Sequence, residues 1–454
     1  MATRSRTTAG SPSATSSLTS GCAEALRQPA FFAFVRAHLF LAGVVIVCSV
    51  LIGAVGSLVV YPQLAGLYHW RKAQQALAQY DFLPARGHLQ RCREAWPASA
   101  DTCFLLARTC RRGGDVEAAQ TYLREAERLG EVPALIELER LLLMARAGVV
   151  QAFEEELGRF LETRPDERPI ILEALVLGSL QGNFLEDAYR WSTRWVTDTP
   201  DDGRSHLLRG QVLERGLRYD LAAEAYQRAL ECNPDSLAAH LGIGEMFIRT
   251  GKYAEALPHF QVCVQKEPQH TIALLGMARC QRYLGPPEAA WATLERLFNT
   301  SEPDPGAVLL RGQLELERGN AQEALTWLKH AERLQPSDLE TIQALANALR
   351  LLDRKDEAQT YEEKRHQTER DLRHMEELTK EIIENPRDAA LRCEAGTTLL
   401  RLGQDEQAVR WLASALLIDQ HHQPTRKALA ACLPKLGDPK LVEHYRRLLD
   451  HEPE

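Results

Sequence analysis

A period of 34 residues constrains this chain more than any other feature of its sequence. Small residues recur at that spacing, with one extra residue between Ala119 and Ala188, where Phe153 takes the intermediate position. The first register is Ala85, Ala119, Ala188, Ala222, Ala256, Ala290, Ala324 and Ala358. A second register of small or apolar residues runs in parallel, and prolines follow the same period at the ends of the units. Such a period is typical of repeat architectures, in which a unit is stable only when stacked on its neighbours.

Each unit contains two runs of apolar residues at three- and four-residue spacing, which predicts a pair of amphipathic helices. Gly or Ala where the helices cross allows their backbones to approach closely. Aromatic residues such as Tyr226 and Phe260 are then expected to fill the space between neighbouring units. Gly251 and Gly285 are expected at turns between helices, where glycine adopts left-handed geometry at little cost.

The unit Ser236–Gln269 resembles the tetratricopeptide repeat. Its matching residues are Gly244, Phe247, Gly251, Tyr253, Ala256, Phe260 and Pro268, and the preceding unit carries Gly210, Tyr219, Ala222, Tyr226, Ala229 and Pro234. The resemblance implies an all-α superhelical solenoid of about nine to ten helix-turn-helix repeats with a concave groove. It places the repeat array at residues 66–372, a connecting helix at 373–388, and a C-terminal repeat with capping helices at 389–454.

The regular pattern breaks after Ala358. Residues 355–385 lack proline and glycine and are predicted to be helical, with Leu372, Met375, Leu378 and Ile382 on one side. Two ordinary helices of an atypical repeat would fit this pattern. A single protruding amphipathic helix, used for dimerisation or docking, would fit it as well.

The residues from Ala37 to Trp70 include no Asp, Glu, Lys or Arg. A helix needs roughly 20 apolar residues to cross a bilayer, so this stretch predicts one transmembrane helix over 38–61, ended by Tyr61 and Pro62. A cleaved signal peptide and a buried core helix are the alternatives. Residues 1–37 are expected to form a disordered arm. Its arginines favour an extracytoplasmic solenoid, although Arg71 and Lys72 on the other side weaken that inference.

No motif in the chain indicates catalysis. There is no phosphate-binding loop, nucleophile elbow or HExxH sequence, and the ten cysteines form no CxxC pair. We therefore predict no catalytic residue, cofactor, metal or small-molecule substrate, and the net charge of −8 argues against nucleic-acid binding. Cys92, Cys103 and Cys110 could form a disulfide or serve as small buried side chains. The sequence does not define an oligomeric state.

The resemblance also implies a binding surface, because the first helix of each repeat lines the concave face in this family. The positions that correspond are Arg108, Arg111, Arg112, Arg146, Arg215, Arg249, Arg279 and Arg282, with Leu207, Leu241, Leu275 and Leu309 beside them. A groove with arginine walls and a leucine floor would suit an extended protein segment with acidic and apolar residues. The alternative is that these arginines only solvate helix faces. The lysine-asparagine clamp of chaperone-tail receptors is not matched, since Leu207 and Gln211 occupy its positions.

These features together predict a membrane-tethered scaffold or adaptor that holds partner proteins in a concave groove. A stoichiometric accessory subunit of an export or envelope-assembly complex is the alternative.

Overall fold

The structure is a computed structural model that describes residues 29–56, 60–146, 150–299, 304–437 and 439–450. Every regular element within these ranges is a helix, in agreement with the predicted all-α solenoid. The chain divides into two compact units, of which the first ends at Glu131 and the second begins at Val132.

The amino-terminal elements differ from the predicted boundaries. Helix α1 spans Pro29–Val55, so it begins within the predicted arm, whose residues 1–28 lie outside the described residues. Tyr61 begins the next helix instead of ending the previous one, because a proline in the first turn lacks only an N–H that has no helical partner there. Among the helices that the structure describes, none is both long and apolar enough to span a membrane.

The first unit contains two helical hairpins after α1. They consist of α2 (Tyr61–Ala78), α3 (Phe82–Ala95), α4 (Ala100–Arg112) and α5 (Val116–Arg128). Ala73, Leu89 and Leu106 form the fully buried centre of this unit, and Trp70 packs against them. Ala73 belongs to the second register of small residues in the 34-residue period, and it lies where α2 meets its neighbours.

The second unit continues the same motif. Its helices are α6 (Pro133–Arg146), α7 (Glu154–Thr163), α8 (Arg168–Gln181), α9 (Leu185–Asp198), α10 (Gly203–Arg215), α11 (Tyr219–Cys232), α12 (Leu237–Arg249), α13 (Tyr253–Lys266), α14 (Thr271–Leu284), α15 (Pro287–Phe298), α16 (Pro305–Glu317), α17 (Ala321–Leu334), α18 (Leu339–Leu351), α19 (Lys355–Glu384), α20 (Ala389–Arg401), α21 (Asp405–Ile418), α22 (Gln423–Cys432) and α23 (Pro439–Asp450). The hairpin around Phe153 is irregular, since a 3-10 turn at Val150–Phe153 precedes the short α7.

Aromatic side chains lock successive repeats together, as the sequence predicts. Phe260 is fully buried, and a Cβ added at Gly244 of its own repeat would lie 2.7 Å from its ring. A Cβ added at Gly276 of the following repeat would lie even closer to the same ring. Tyr226 lies in the same way between Gly210 and Gly242. Glycine is required at these crossings because any side chain would overlap the ring.

The turn inside most of the described hairpins has a left-handed residue at the same position. Gly251 has φ +74°, and Leu217 and Asp353 adopt φ +60° and +56° at equivalent positions without being glycine. Gly285 departs from the prediction with φ −138° and ψ −172°. It precedes Pro286, and the residue before a proline is restricted to extended geometry.

Helix α19 is one continuous element of 30 residues. It passes without a break from the predicted array into the predicted connecting segment, and at 1.5 Å per residue it is about 45 Å long. Its first half completes a hairpin with α18, where Ala358 is buried. In its second half, Leu378 and Ile382 pack against Leu399 and Trp411. The predicted apolar side is thus covered by the chain's own C-terminal repeat and is not free for docking.

Candidate partner-binding surface

The four leucines predicted as a groove floor are largely part of the hydrophobic core. Leu207 and Leu309 are only 6% and 5% exposed. Leu241 and Leu275 are half-buried and pack against the core around Phe260. The four leucines pack against the neighbouring repeat, so the apolar character of their position reflects packing between repeats more than contact with a partner.

The predicted arginines of the first unit are engaged by its own aromatic residues or are buried. Arg111 is 2% exposed, which leaves almost none of its surface for a partner. The guanidinium of Arg108 lies 4.8 Å from the ring centre of Phe104, and that of Arg112 lies 4.8 Å from the ring centre of Phe82. Such cation–π contacts hold the side chains flat against the helices.

Arg215 and Arg249, in the second unit, face a part of the chain that the sequence did not place near them. Both line a cavity of about 330 Å³ that is also lined by Met375 and Trp411 from the C-terminal repeats. Arg249 in addition forms an ion pair with Glu245, with Nε 3.6 Å from Oε1. These two arginines therefore face the chain's own helices, and the expected open track is interrupted here.

The C-terminal repeat returns to the start of the second unit through Arg392. This side chain is fully buried, and its Nη1 donates to the carbonyl oxygen of Asn183 at 3.0 Å, across 209 residues of sequence. The guanidinium lies 4.2 Å from the ring centre of Phe184 and 5.7 Å from that of Trp411. We call this contact the Arg392 closure. It joins the α8–α9 hairpin to the α20–α21 hairpin.

The remaining bonds of the Arg392 closure come from the same C-terminal repeat. Nε and Nη2 donate to the carbonyl oxygen of Pro386 at 3.1 and 2.8 Å, and Nη1 also donates to Oγ of Ser414 at 3.2 Å. Burial lowers the pKa of Arg392 to about 10, while the negative charge of Asp187 acts in the opposite direction. The guanidinium therefore stays charged at neutral pH, and the carbonyl oxygens that accept from it replace the water it has lost.

A second cavity lies across three successive first helices, α14, α16 and α18. We call it the Gln313 cavity; it has a volume of about 540 Å³. Its lining residues are Arg282, Tyr283, Gln313, Leu316, Glu317, Glu340, Gln343, Ala344, Asn347 and Leu351. The surface combines carboxamides, paired charges and exposed apolar side chains, in a position that the resemblance assigns to the concave face.

The charges of the Gln313 cavity are already partly matched. Arg282 forms an ion pair with Glu317, with Nε 2.7 Å from Oε1, and its Nη1 donates to Oε1 of Gln313 at 2.6 Å. Gln313 in turn donates from Nε2 to Glu340 at 3.4 Å. An acidic ligand consequently meets a neutralised arginine here. The sequence missed this pairing because Glu317 belongs to the next repeat.

The two other predicted arginines occupy different surroundings. Arg279 lies on α14 and is half-buried, and it forms no ion pair within the described part of the chain. Arg146 is half-buried at the carboxyl end of α6. The predicted arginines therefore do not form one track. Arg279 and Arg282 lie on one helix beside the Gln313 cavity, and Arg215 and Arg249 line the cavity that Trp411 also lines. The remaining four lie apart from both cavities.

The three cysteines near the start of the chain are buried thiols in the structure. Cys92 and Cys103 are 0% exposed and Cys110 is 2% exposed, and none is paired in a disulfide. Burial raises the pKa of the Cys92 thiol to about 11. Their surroundings fit the interpretation as small hydrophobic side chains.

Comparison with protein families supports the repeat assignment. Models described as tetratricopeptide repeat match residues 100–129, 188–236, 207–271 and 247–314. These residues are therefore tetratricopeptide repeats, an architecture that is suited to protein–protein interaction.

Curated relatives are similar over limited segments. The peroxisomal targeting signal receptor of Pichia angusta is 31% identical over 94 residues, which cover 21% of this chain and 16% of the receptor. The receptor of the same name from Komagataella phaffii is 26% identical over 141 residues, which cover 31% of this chain and 24% of the receptor. The chain thus spans less than a quarter of the length of these relatives.

Solved structures of helical repeat proteins also match. A tetratricopeptide repeat protein from Parabacteroides merdae is 20% identical, with 63% of this chain and 99% of that chain covered and a TM-score of 0.32. The type IV pilus biogenesis factor PilW is 16% identical, with coverages of 55% and 98% and a TM-score of 0.37.

Proposed function

We propose that this chain is a membrane-tethered scaffold that holds extended segments of partner proteins at the Gln313 cavity. The observation that supports this is the arrangement of the cavity, which spans three consecutive first helices and is open to solvent along them. It exposes Leu351, which is 65% accessible, and Tyr283, which is 55% accessible, beside hydrogen-bonding carboxamides. Exposed apolar groups of this size beside polar groups are a common feature of interaction surfaces.

The chemistry of the cavity favours recognition of a peptide backbone. The carboxamides of Gln313, Gln343 and Asn347 can each donate and accept, as a peptide group does. Arg282 is neutralised by Glu317, so acidic side chains of a partner are expected to gain more from the nearby Arg279 than from Arg282. The occupant we propose is an extended segment with an apolar side chain over Leu351 and an acidic one near Arg279.

The tether is proposed from the sequence at the amino terminus. Residues 37–70 carry no Asp, Glu, Lys or Arg, and the arginines before them favour a solenoid on the extracytoplasmic side. Confinement at a membrane raises the effective concentration of anything the cavity binds. Turnover of a substrate is not part of the proposal.

Site-specific photo-cross-linking tests the binding surface. A photoreactive amino acid at Gln343 of the full chain is expected to cross-link to a small set of proteins in cells, and the same probe at Gln322, on the second helix α17, is expected not to. Arg279→Glu should lower the cross-link yield at Gln343 several-fold while the circular dichroism of the protein is unchanged. Equal yields from Gln343 and Gln322 would contradict the proposed surface.

Alkaline carbonate extraction and thiol labelling test the tether. The full chain is expected to remain in the membrane pellet, and a cysteine introduced near the carboxyl terminus should react with an impermeant reagent in intact cells. Release into the supernatant would refute tethering through residues 38–61. Protection of the cysteine until lysis would instead reverse the proposed orientation.

A further inference from the structure

Helix α2 has an exposed face that is apolar in its first two turns. Tyr61, Leu64, Leu67 and Tyr68 are 72%, 60%, 50% and 56% exposed, at spacings that place them on one side of a helix. The opposite side is packed into the first unit and carries the buried Ala73. The helix therefore separates an outward apolar face, formed by these four residues, from its core face.

This outward face is specific to α2. Helix α2 has 18 residues, whereas first helices such as α10 and α12 have 13, so it begins more than a turn earlier. In the 34-residue register, the position of Leu64 is occupied by Asp201, Asp235 and Ser337 in other repeats. Polar residues that solvate this end of those three repeats are thus replaced by an apolar one in α2.

The surroundings of the outward face are basic and continue into apolar sequence. Arg71 and Lys72 follow it on the same side and are exposed. The first 131 residues contain 14 Lys and Arg against 9 Asp and Glu, while the remaining residues are acidic. Immediately before α2, helix α1 exposes Leu39 and Phe40, at 68% and 74%.

We propose that α2 lies in the surface of an anionic lipid bilayer, with its outward face inserted at the boundary of headgroups and acyl chains. This inference rests on the proposed tether, which would bring α2 to that surface. An apolar helical face followed by cations is the pattern of interfacial helices, and tyrosine is enriched at this depth. Arg71 and Lys72 would contact the lipid phosphates. The acidic repeats of the second unit would be repelled from the same surface.

A lipid surface fits this face better than a second copy of the chain. Arg71 and Lys72 beside the four side chains favour a surface that carries negative charge, which the phosphates of anionic lipids supply. The patch is also continuous along the chain with the uncharged run that precedes it.

Environment-sensitive fluorescence of the full chain tests the proposal. A nitrobenzoxadiazole label is placed on a single cysteine at Leu64→Cys or, as a control on the same side of α2 but beyond the apolar turns, at Gln75→Cys. Cys22, Cys48 and Cys232 are replaced by serine in both variants, and the other native cysteines are buried. The protein is reconstituted into vesicles of phosphatidylcholine with phosphatidylglycerol, or of phosphatidylcholine alone, and collected by flotation.

We expect the label at position 64 to show blue-shifted, several-fold brighter emission in floated vesicles, with a larger effect on the anionic ones, while the label at 75 keeps water-like emission. R71Q/K72Q should remove the difference between the two lipids. Flotation with water-like emission at position 64 would overturn the lipid contact and leave the tether intact. Failure to float would overturn both. A blue shift that grows with the ratio of protein to lipid, and is equal on both vesicles, would identify a second copy as the occupant and refute the proposal.

Discussion

Removal of the Arg392 closure gives the sharpest test of how the second unit is held together. Arg392→Leu abolishes four hydrogen bonds and leaves the carbonyl oxygens of Asn183 and Pro386 without this donor. A buried acceptor without a partner costs about 1–3 kcal/mol. The lost contacts to Phe184 and Trp411 add roughly 0.5–2 kcal/mol. Relief of the cost of burying a charge offsets part of this, so we expect a net loss of about 2–4 kcal/mol.

Two matched variants separate charge from geometry in that experiment. Arg392→Lys keeps the charge, but a single ammonium cannot reproduce the forked contacts to Asn183 and Pro386, so an intermediate loss is expected. Ser414→Ala removes one of the two acceptors of Nη1 and should cost about 1 kcal/mol. Urea unfolding gives the free energies, and amide hydrogen exchange around Phe184 reports on opening of the closure.

The result that would refute this reasoning is Arg392→Leu with an unchanged urea midpoint and unchanged exchange near Phe184. The pH dependence supplies a second check. Burial lowers the pKa of Arg392 to about 10 from its usual value of 12.5, so the group is protonated in both the folded and the unfolded state at pH 6–8. The contribution of Arg392 to the free energy of unfolding should therefore be constant from pH 6 to pH 8.

Three further predictions concern the repeats themselves. Gly244→Ala should destabilise the folded protein by about 1–3 kcal/mol in thermal unfolding, because the added Cβ would lie 2.7 Å from the ring of Phe260. In the control Gly158→Ala the added Cβ meets nothing within 4 Å, so this variant should be neutral or stabilising. Burial lowers the pKa of both His240 and His259, whose Nδ1 atoms are 3.0 Å apart. The neutral form is thus favoured in the folded state, and the free energy of unfolding should fall as the pH decreases below about 6.5. His259→Gln should flatten that dependence. The same pH profile of the urea midpoint in this variant and in the unsubstituted protein would disprove the prediction. Leu217→Gly should stabilise by about 0.5–1 kcal/mol, since it relieves left-handed geometry at φ +60°; a lower melting temperature would contradict this.

The local parts of the fold were predictable because the repeat encodes them locally. The small residue at a helix crossing and the large side chain that packs on it occur at fixed offsets, so Gly244 and Phe260 could be placed without coordinates. The left-handed turn at Leu217 could not be predicted in this way. Glycine marks such turns in other repeats, whereas Leu217 adopts the same geometry without being glycine.

The binding surface was predictable only in part, because it depends on neighbours and on superhelical pitch. The position of Arg282 on a first helix follows from the pattern, but its ion pair with Glu317 follows only when adjacent repeats are compared. The Arg392 closure has no local signal at all, since it depends on the accumulated rotation of the repeats between Asn183 and Arg392.

The shared aromatic rings have a consequence for dissection of the molecule. Phe260 packs on Gly244 of its own repeat and on Gly276 of the next, so any cut between these two glycines separates the ring from one of them. A nick at the exposed turn around Gly251 would separate Gly244 from Phe260 and expose apolar surface on both fragments. Such fragments should be poor autonomous folding units, yet recombine when mixed, and shortened forms of the protein are better designed from its ends than from its middle.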